Sequence, residues 1–416
     1  MKTLELPALH DHHSHVSLYT ALEGLPDLSS LGPKEALDLL SSQGREGLGI
    51  VKGWRSERLP LDAEQVSGLP PLVIVNFSLH GFVLTPAALP FIRELWPDFL
   101  EHQGDEAWAE RSLPELFAFY CRLGGFDQVK LAAFMARMEA LGIYSMEDMA
   151  SPGGPALDLL EASPYASRVA SWIPASIYLG LAEKDKRRAA GVKLFLDGSI
   201  GARSAAIDRP YLGGGMGRLT YGEAELEELL LRLATASPGP GPALSIHAIG
   251  QRAIEEALSA LEALGRRGFA FPLVRLEHLQ FMSLAQARRA KELGLILSMQ
   301  PNFNSDSVDY RDRLSPELLA ANDPFRMLID EAGFLPGRDL IFGSDGMPHG
   351  PEYALQWSLF PAFPGQRLEL GEFLAGYSLE GDQGESRPDS FKPAIISIDE
   401  ARGRVYTGDH GYTLHI

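Results

Sequence analysis

The stretch "LHDHHSHV" at residues 9–16 places four histidines and an aspartate within six positions. Read as a strand, its successive side chains point to opposite faces. Asp11, His13 and His15 then share one face, and His10, His12 and Ser14 share the other. With the odd-numbered set turned towards the interior of a barrel, two imidazoles converge on the barrel axis. The other two back them up.

Working outward, short apolar runs recur and end in polar clusters. They are "LGIVKGW" (48–54), "PLVIVNFSLHG" (71–81), "LGIYSMEDM" (141–149), "GVKLFLDGS" (191–199), "ALSIHAIG" (243–250), "VRLEHLQF" (274–281), "GLILSMQPN" (294–302) and "DLIFGSDG" (339–346). Each has the length and residue types of a strand. Helical patterns lie between them. "GEAELEELLLRLATA" (222–236) has acidic residues in its first turn. "QRAIEEALSALEALGRRG" (251–268) closes on two arginines and a glycine, and "SLAQARRAKELG" (283–294) runs from a serine cap to a glycine stop. Alternating strands and helices are the α/β signature, and about eight strand candidates suggest a (β/α)8 barrel. Its chemistry would sit at the C-terminal ends of the strands. Residues 82–140 break the rhythm with aromatic-rich helical sequence, read as an insertion that caps the pocket. Residues 371–416 lose the helical pattern, and "PAIISIDEARGRVYTGD" within them reads as a small β unit.

The bulk composition narrows the function classes. The chain has 416 residues, 45% hydrophobic and 22% charged, which fits one large domain with insertions or two ordinary domains. A net charge of −18 argues against nucleic acid and anionic membrane as partners. The single cysteine, Cys121, excludes an internal disulfide and a thiolate zinc cluster. No signal-like segment or 18-residue apolar stretch is present, so the expected setting is cytoplasmic. A small-molecule substrate is the expected partner, and a homo-oligomer is compatible with this composition.

The polar residues at the strand ends are His13 and His15, Lys193, His247, His278 and Asp345. Any one histidine at a strand end is ordinarily a satisfied polar residue, and His80, His102 and His349 keep that reading. The set as a whole is hard to explain as core filler. Imidazoles and carboxylates are ligands for zinc and related divalent metals. Lys193 is the odd member, because a free ammonium would repel a metal. Two readings stay open for it: a carbamate formed with carbon dioxide, which is an anionic ligand, or an ordinary lysine paired with Asp197. Other motifs fail. "DGSIG" has the wrong spacing for a nucleophile elbow, and "LGGGMGRL" is neither a P-loop nor G-x-G-x-x-G.

"HDHHSHV" resembles the D-x-H-x-H signature that opens the metal-dependent amidohydrolase superfamily. The finer resemblance is to its YtcJ-like branch, which includes N-substituted formamide deformylases. "VKLFLDGSIGARSAA" (192–206), "SIHAIGQRAIEEALSALEA" (245–263), "RLEHLQ" (275–280), "SMQPNF" (298–303) and "FGSDGMP" (342–348) resemble that branch in the right order. "LPLDAEQ" (59–65) and "HGFVLTPAAL" (80–89) match more weakly. The likeness spans about residues 7–360.

The resemblance implies His13 and His15 as first-strand metal ligands, His247 and His278 as later ones, and Asp345 as the ligand that also handles the proton of the attacking water. Lys193 falls where the superfamily often carries a carboxylated lysine. The implied cofactor is one or two divalent ions, zinc foremost. The implied fold is an amidohydrolase-type barrel over residues 7–365. The family's β-sandwich would be missing or reduced to a remnant at 366–416. The implied activity is hydrolysis of a carbon–nitrogen bond, of the non-peptide amide or formamide type. Asp345, His278 and Lys193 would be its catalytic groups. Ester or lactone hydrolysis, deamination, and a catalytically silent metal-binding regulator are the alternatives.

Overall fold

The computed structural model describes residues 1–44, 46–55, 58–77, 79, 81–102, 108, 111–236, 241–378 and 391–407. The chain forms two compact units, Met1–Val16 with Ala132–Ile416, and Ser17–Leu131. In chain order the strands are β1 (Lys2–Glu5), β2 (Leu9–Ser14), β3 (Gly49–Trp54), β4 (Leu72–Asn76), β5 (Phe82–Leu84), β6 (Ile143–Asp148) and β7 (Val169–Pro174). There follow β8 (Gly191–Phe195), β9 (Leu244–Ala248), β10 (Val274–His278), β11 (Ile296–Met299), β12 (Leu340–Phe342), β13 (Ile395–Asp399) and β14 (Arg404–Thr407).

In the first unit, eight strands run in the order β2-β6-β7-β8-β9-β10-β11-β12, each parallel to the next. This is the (β/α)8 barrel that the alternating pattern predicts. Its seam between β12 and β2 is held by the Asp345 N–H, which donates to the His13 carbonyl at 2.7 Å. Gly343 permits that approach, since a Cβ there would lie 2.5 Å from the Cβ of His13. Every residue of β8 and β9 is buried, as expected where helices cover the outer face of a parallel sheet.

The covering helices follow their sequence signals. Gln251–Arg266 buries Ala253, Ile254, Ala257, Leu258, Leu261 and Leu264, a stripe at helical spacing. It stops before Gly268, whose φ of +82° lies in the left-handed region. Leu284–Glu292 starts at Ser283, whose hydroxyl accepts from the Gln286 N–H at 3.3 Å.

Strand placement departs from the sequence expectation at three points. The runs at 48–54 and 71–81 do form strands, but β3 and β4 pair with β5 in a separate three-stranded sheet of the second unit. The barrel instead takes β7, "VASWIP", which was not among the expected strands. Its apolar run is interrupted by Ser171, so its pattern alone is weak. Local patterning marks a strand but does not say which sheet it joins.

The second unit has its own core of Leu28, Leu40, Val51, Leu72 and Ile74. Its aromatic residues also cluster, with Trp96 at 5.5 Å from Phe99 and 5.3 Å from Phe119, ring centre to ring centre. The expected insertion at 82–140 covers the later part of this unit and ends in the helix Gln128–Ala140, whose residues from Ala132 onward belong to the barrel unit. His80 lies outside the described residues. The hairpin β13–β14 occupies the stretch read as a small β unit, and β1 pairs antiparallel with β13. Among the described residues, no helix is long and apolar enough to cross a membrane.

Candidate metal centre

The first barrel strand does not keep the simple two-face alternation. Its pairing with β6 shifts register between Asp11 and Ser14. His10 Nε2, before the shift, and His12 Nδ1, within it, approach Glu147 Oε1 at 3.4 and 3.1 Å. His13, also within it, directs Nδ1 to Glu277 Oε2 at 2.6 Å. Arg275 links the two carboxylates, donating to Glu147 at 2.8 Å and to Glu277 at 2.6 Å. His10, His12 and His13 therefore all reach one buried network. The even-numbered histidines form a layer joined to the site, not an outer backing. The reason is the β-bulge, which re-aims side chains by one position.

The end of β12 is tied to β2 through Asp11. Its carboxylate accepts from the His13 N–H at 3.1 Å, the Ser344 N–H at 2.9 Å and the Ser344 hydroxyl. The chain then turns through Asp345 at a φ of +56°, a region that aspartate tolerates better than most residues. Asp345 Oδ1 lies 2.9 Å from His15 Nε2 and 3.7 Å from His13 Nε2. Burial pushes this carboxyl up, but the His15 hydrogen bond and the imidazoles of His13 and His278 outweigh it and hold it well below its usual range.

His278 follows Glu277 directly, so strict alternation would put the two on opposite faces. A φ of +73° at His278 turns its ring inward instead. The ring centre lies 4.7 Å from that of His13 and 4.4 Å from that of His247. Backbone in this region costs on the order of 1–3 kcal/mol and concentrates at functional sites. His247, at the end of β9, directs Nε2 to the Gly198 carbonyl at 3.1 Å. A carbonyl only accepts, so this nitrogen carries the proton and Nδ1 is left as the lone-pair atom.

Lys193 sits in β8 and is 1% exposed. Its Nζ has no hydrogen-bond partner among the described residues. The pairing with Asp197 is not made, because Asp197 accepts from the backbone N–H groups of Ala206, Ile249 and Gly250 at 2.8–3.0 Å. Burial lowers the Lys193 amine to about 8 against the pull of Glu277 and Asp345.

The donor set suits a divalent cation. His13, His278 and Asp345 each offer a ligand atom, and these atoms lie within 4.8 Å of one another. Burial lowers His13 to about 4 and holds His278 well below its ordinary value, so both rings are neutral at pH 7, the form that ligates. His278 Nδ1 has no partner among the described residues. His15 reaches the group through Asp345, and His247 through its ring contact with His278. All six expected site residues lie in the barrel unit. His349 lies near them, its Nε2 at 2.9 Å from Ser14 Oγ, while His102 stacks on Trp108 in the second unit.

Sequence reasoning missed Glu277, Arg275 and Glu147. Glu277 orients the His13 ring, the arrangement that usually fixes the tautomer of a ligating histidine. The signal was present in "RLEHLQ": two charges spaced by two in a buried strand must share one face.

A model of the amidohydrolase family matches residues 117–361 of this chain. A segment is similar to putative amidohydrolase YtcJ of Bacillus subtilis (strain 168), with 30% identity over 142 residues, covering 34% of this chain and 26% of that protein. N-substituted formamide deformylase of Arthrobacter pascens is 32% identical over 118 residues, covering 28% of this chain and 21% of that protein. Both matches thus span about a quarter or less of the relative's length. An uncharacterized metal-dependent hydrolase from Pyrococcus horikoshii OT3 superposes with a TM-score of 0.62 at 23% identity, over 85% of this chain and 74% of that one. At that identity the likeness concerns the fold.

Proposed function

This chain belongs to the amidohydrolase family, and on that premise we propose that it is a metal-dependent hydrolase that opens a carbon–nitrogen bond of a small molecule, of the non-peptide amide or formamide type. The observation that carries this reading is the convergence of His13, His278 and Asp345 at the C-terminal ends of barrel strands, with ligand atoms within 4.8 Å of one another. His13, His15, Lys193, His247, His278 and Asp345 would hold one or two divalent ions, zinc foremost. Such an ion, when bound, polarises a carbonyl oxygen and makes water more acidic.

The chain's own groups have separate tasks. Asp345 stays ionised at pH 7 and accepts the proton of the attacking water. Asp345 returns that proton to the leaving amine, beside the His278 ring. Glu277, held well below its usual range despite burial by Arg275 and His13, keeps the His13 ring in one tautomer. Lys193, lowered to about 8, has an appreciable neutral fraction near pH 7–8. Neutral amine is the form that adds carbon dioxide, which supports the carbamate reading.

The test is elemental analysis of protein purified without chelators, followed by a turnover screen of anilides, formamides, ureas and matched esters. Close to stoichiometric metal and turnover of a nitrogen substrate are expected. Metal-free protein that gains no activity with zinc, manganese, cobalt or iron would sink the proposal.

The first-strand histidines divide by register. His13→Asn is expected to lose most of the metal. His12→Asn should keep near-parental metal but unfold at lower temperature, because His12 spans Glu147 and the Ser378 carbonyl. Metal content and thermal unfolding of the two variants, measured side by side, check this. The reverse pattern would reassign the ligands.

A further inference from the structure

Gln300 is 1% exposed, yet neither its Nε2 nor its Oε1 has a hydrogen-bond partner among the described residues. A buried amide with both ends unpaired is costly, on the order of 1–3 kcal/mol for each group. Such groups call for a partner supplied from elsewhere.

Its direction follows from the strand. Ser298, two residues earlier, faces the barrel interior, where its hydroxyl accepts from Arg275 at 3.0 Å. Met299 packs into the apolar core on the other side. Gln300 continues in extended backbone, with φ −118° and ψ 94°, so alternation returns its side chain to the interior. It stands one pleat above Ser298, which pairs with Glu277. That is the level of the candidate metal centre, between the ends of β10 and β12.

Asn302 adds a second group. Its Nδ2 donates to the carbonyls of Ser344 and Met347 at 2.9 and 2.8 Å, and so brackets Asp345. This fixes the orientation of the amide. Its Oδ1, fully buried, has no partner among the described residues.

We propose that Gln300 and Asn302 form the substrate-recognition wall of this site and select molecules that carry an N–H beside a carbonyl, that is, secondary or primary amides and ureas. Two acceptors, Gln300 Oε1 and Asn302 Oδ1, match N–H donors, and Gln300 Nε2 matches a carbonyl. An ester or a tertiary amide has no N–H and would leave the acceptors unpaired. Sites of this kind reject the analogue that lacks the donor far more strongly than apolar pockets reject a missing methylene. The assignment rests on the hydrolytic reading only in sharing its site.

The experiment compares acetanilide, N-methylacetanilide and phenyl acetate on the metal-loaded protein, with Gln300→Met, which keeps the shape without polar atoms, and Gln300→Glu, which keeps the acceptors. Turnover is read as kcat/KM, and affinity by calorimetry for any probe that is not turned over. Metal content and unfolding temperature are measured on each variant. In Gln300→Met, acetanilide should lose about ten- to a hundredfold, while the two probes without N–H, which lose only the Nε2 contact to their carbonyl, should lose clearly less. Gln300→Glu should recover part of the loss for acetanilide. If Gln300→Met does not fold, Gln300→Asn, shorter by one methylene, takes its place. Equal losses for all three probes, no loss for any, or a parent protein that binds no N–H probe would overturn the assignment. If acetanilide binds in a Gln300-dependent way without being hydrolysed, the recognition wall stands and the hydrolytic reading falls.

Discussion

Replacing Asp345 by asparagine is expected to leave a folded protein that turns over its substrate about 10²–10⁴-fold more slowly, the usual loss when a positioned general base is removed. The backbone should accept the change. Asp345 sits at a φ of +56°, and asparagine tolerates that region at least as well as aspartate. Its N–H to the His13 carbonyl is unaffected, and the amide oxygen can still accept from His15. What disappears is the negative charge and the capacity to take a proton. Some metal should therefore be retained, and unfolding temperature should stay near that of the parent. A variant with near-parental turnover would exclude Asp345 as the base.

The second large effect concerns stability. Arg275→Met is expected to destabilise the protein by about 3–5 kcal/mol, because it leaves buried carboxylates without their counter-charge. Arg275 is 3% exposed in its side chain, and its partners Glu277 and Glu147 are 0% and 11% exposed. Arg275→Lys keeps the charge but not the planar fork, and should cost less.

The pH dependence has a definite sign. In the parent, burial pushes both carboxyls up, but Arg275 and the histidines hold them well below the ordinary value of 4.5. Their contribution is present above that value and is lost as pH falls through the lower folded values. Without Arg275 their folded values rise, so the variant gains relative to the parent as pH falls. The stability gap in denaturant unfolding should be widest at neutral pH and narrow below about pH 5. A gap independent of pH would mean that the loss is one of packing and not of charge.

The residues that converge at the barrel mouth were legible because metal chemistry restricts residue types, and a restricted set at strand ends stands out. Their exact aim was not legible. The bulge in β2 and the positive φ at His278 both break alternation, and neither has a sequence mark that a pattern search would find. Arg275 and Glu277 were passed over for a different reason: charge in a strand ordinarily signals a solvent face, and here it signals an interior ion pair. Likewise β3 and β4 look like barrel strands because parallel strands of any sheet carry the same apolar run. Their allocation depends on partners far away in the chain.

The position of Ser17–Leu131 in the sequence has a consequence for how the barrel assembles. Residues 9–14 pair with residues 143–148 and lie against residues 340–342. The first barrel strand is thus the first to leave the ribosome and among the last to find both neighbours. Contacts so distant in the chain carry a large loop-closure entropy and form slowly. Strands β8 to β11, each next to its successor, are expected to zip earlier. His13 would then meet Glu277 and Asp345 only when the seam closes, so a newly made chain could not hold a metal at this site until residue 345 had emerged. Pulse-labelled hydrogen exchange during refolding should find the β2 amides protected in the slowest phase, together with the appearance of metal binding. Early protection of β2 would mean that the chain closes this long loop before it builds the middle of the barrel.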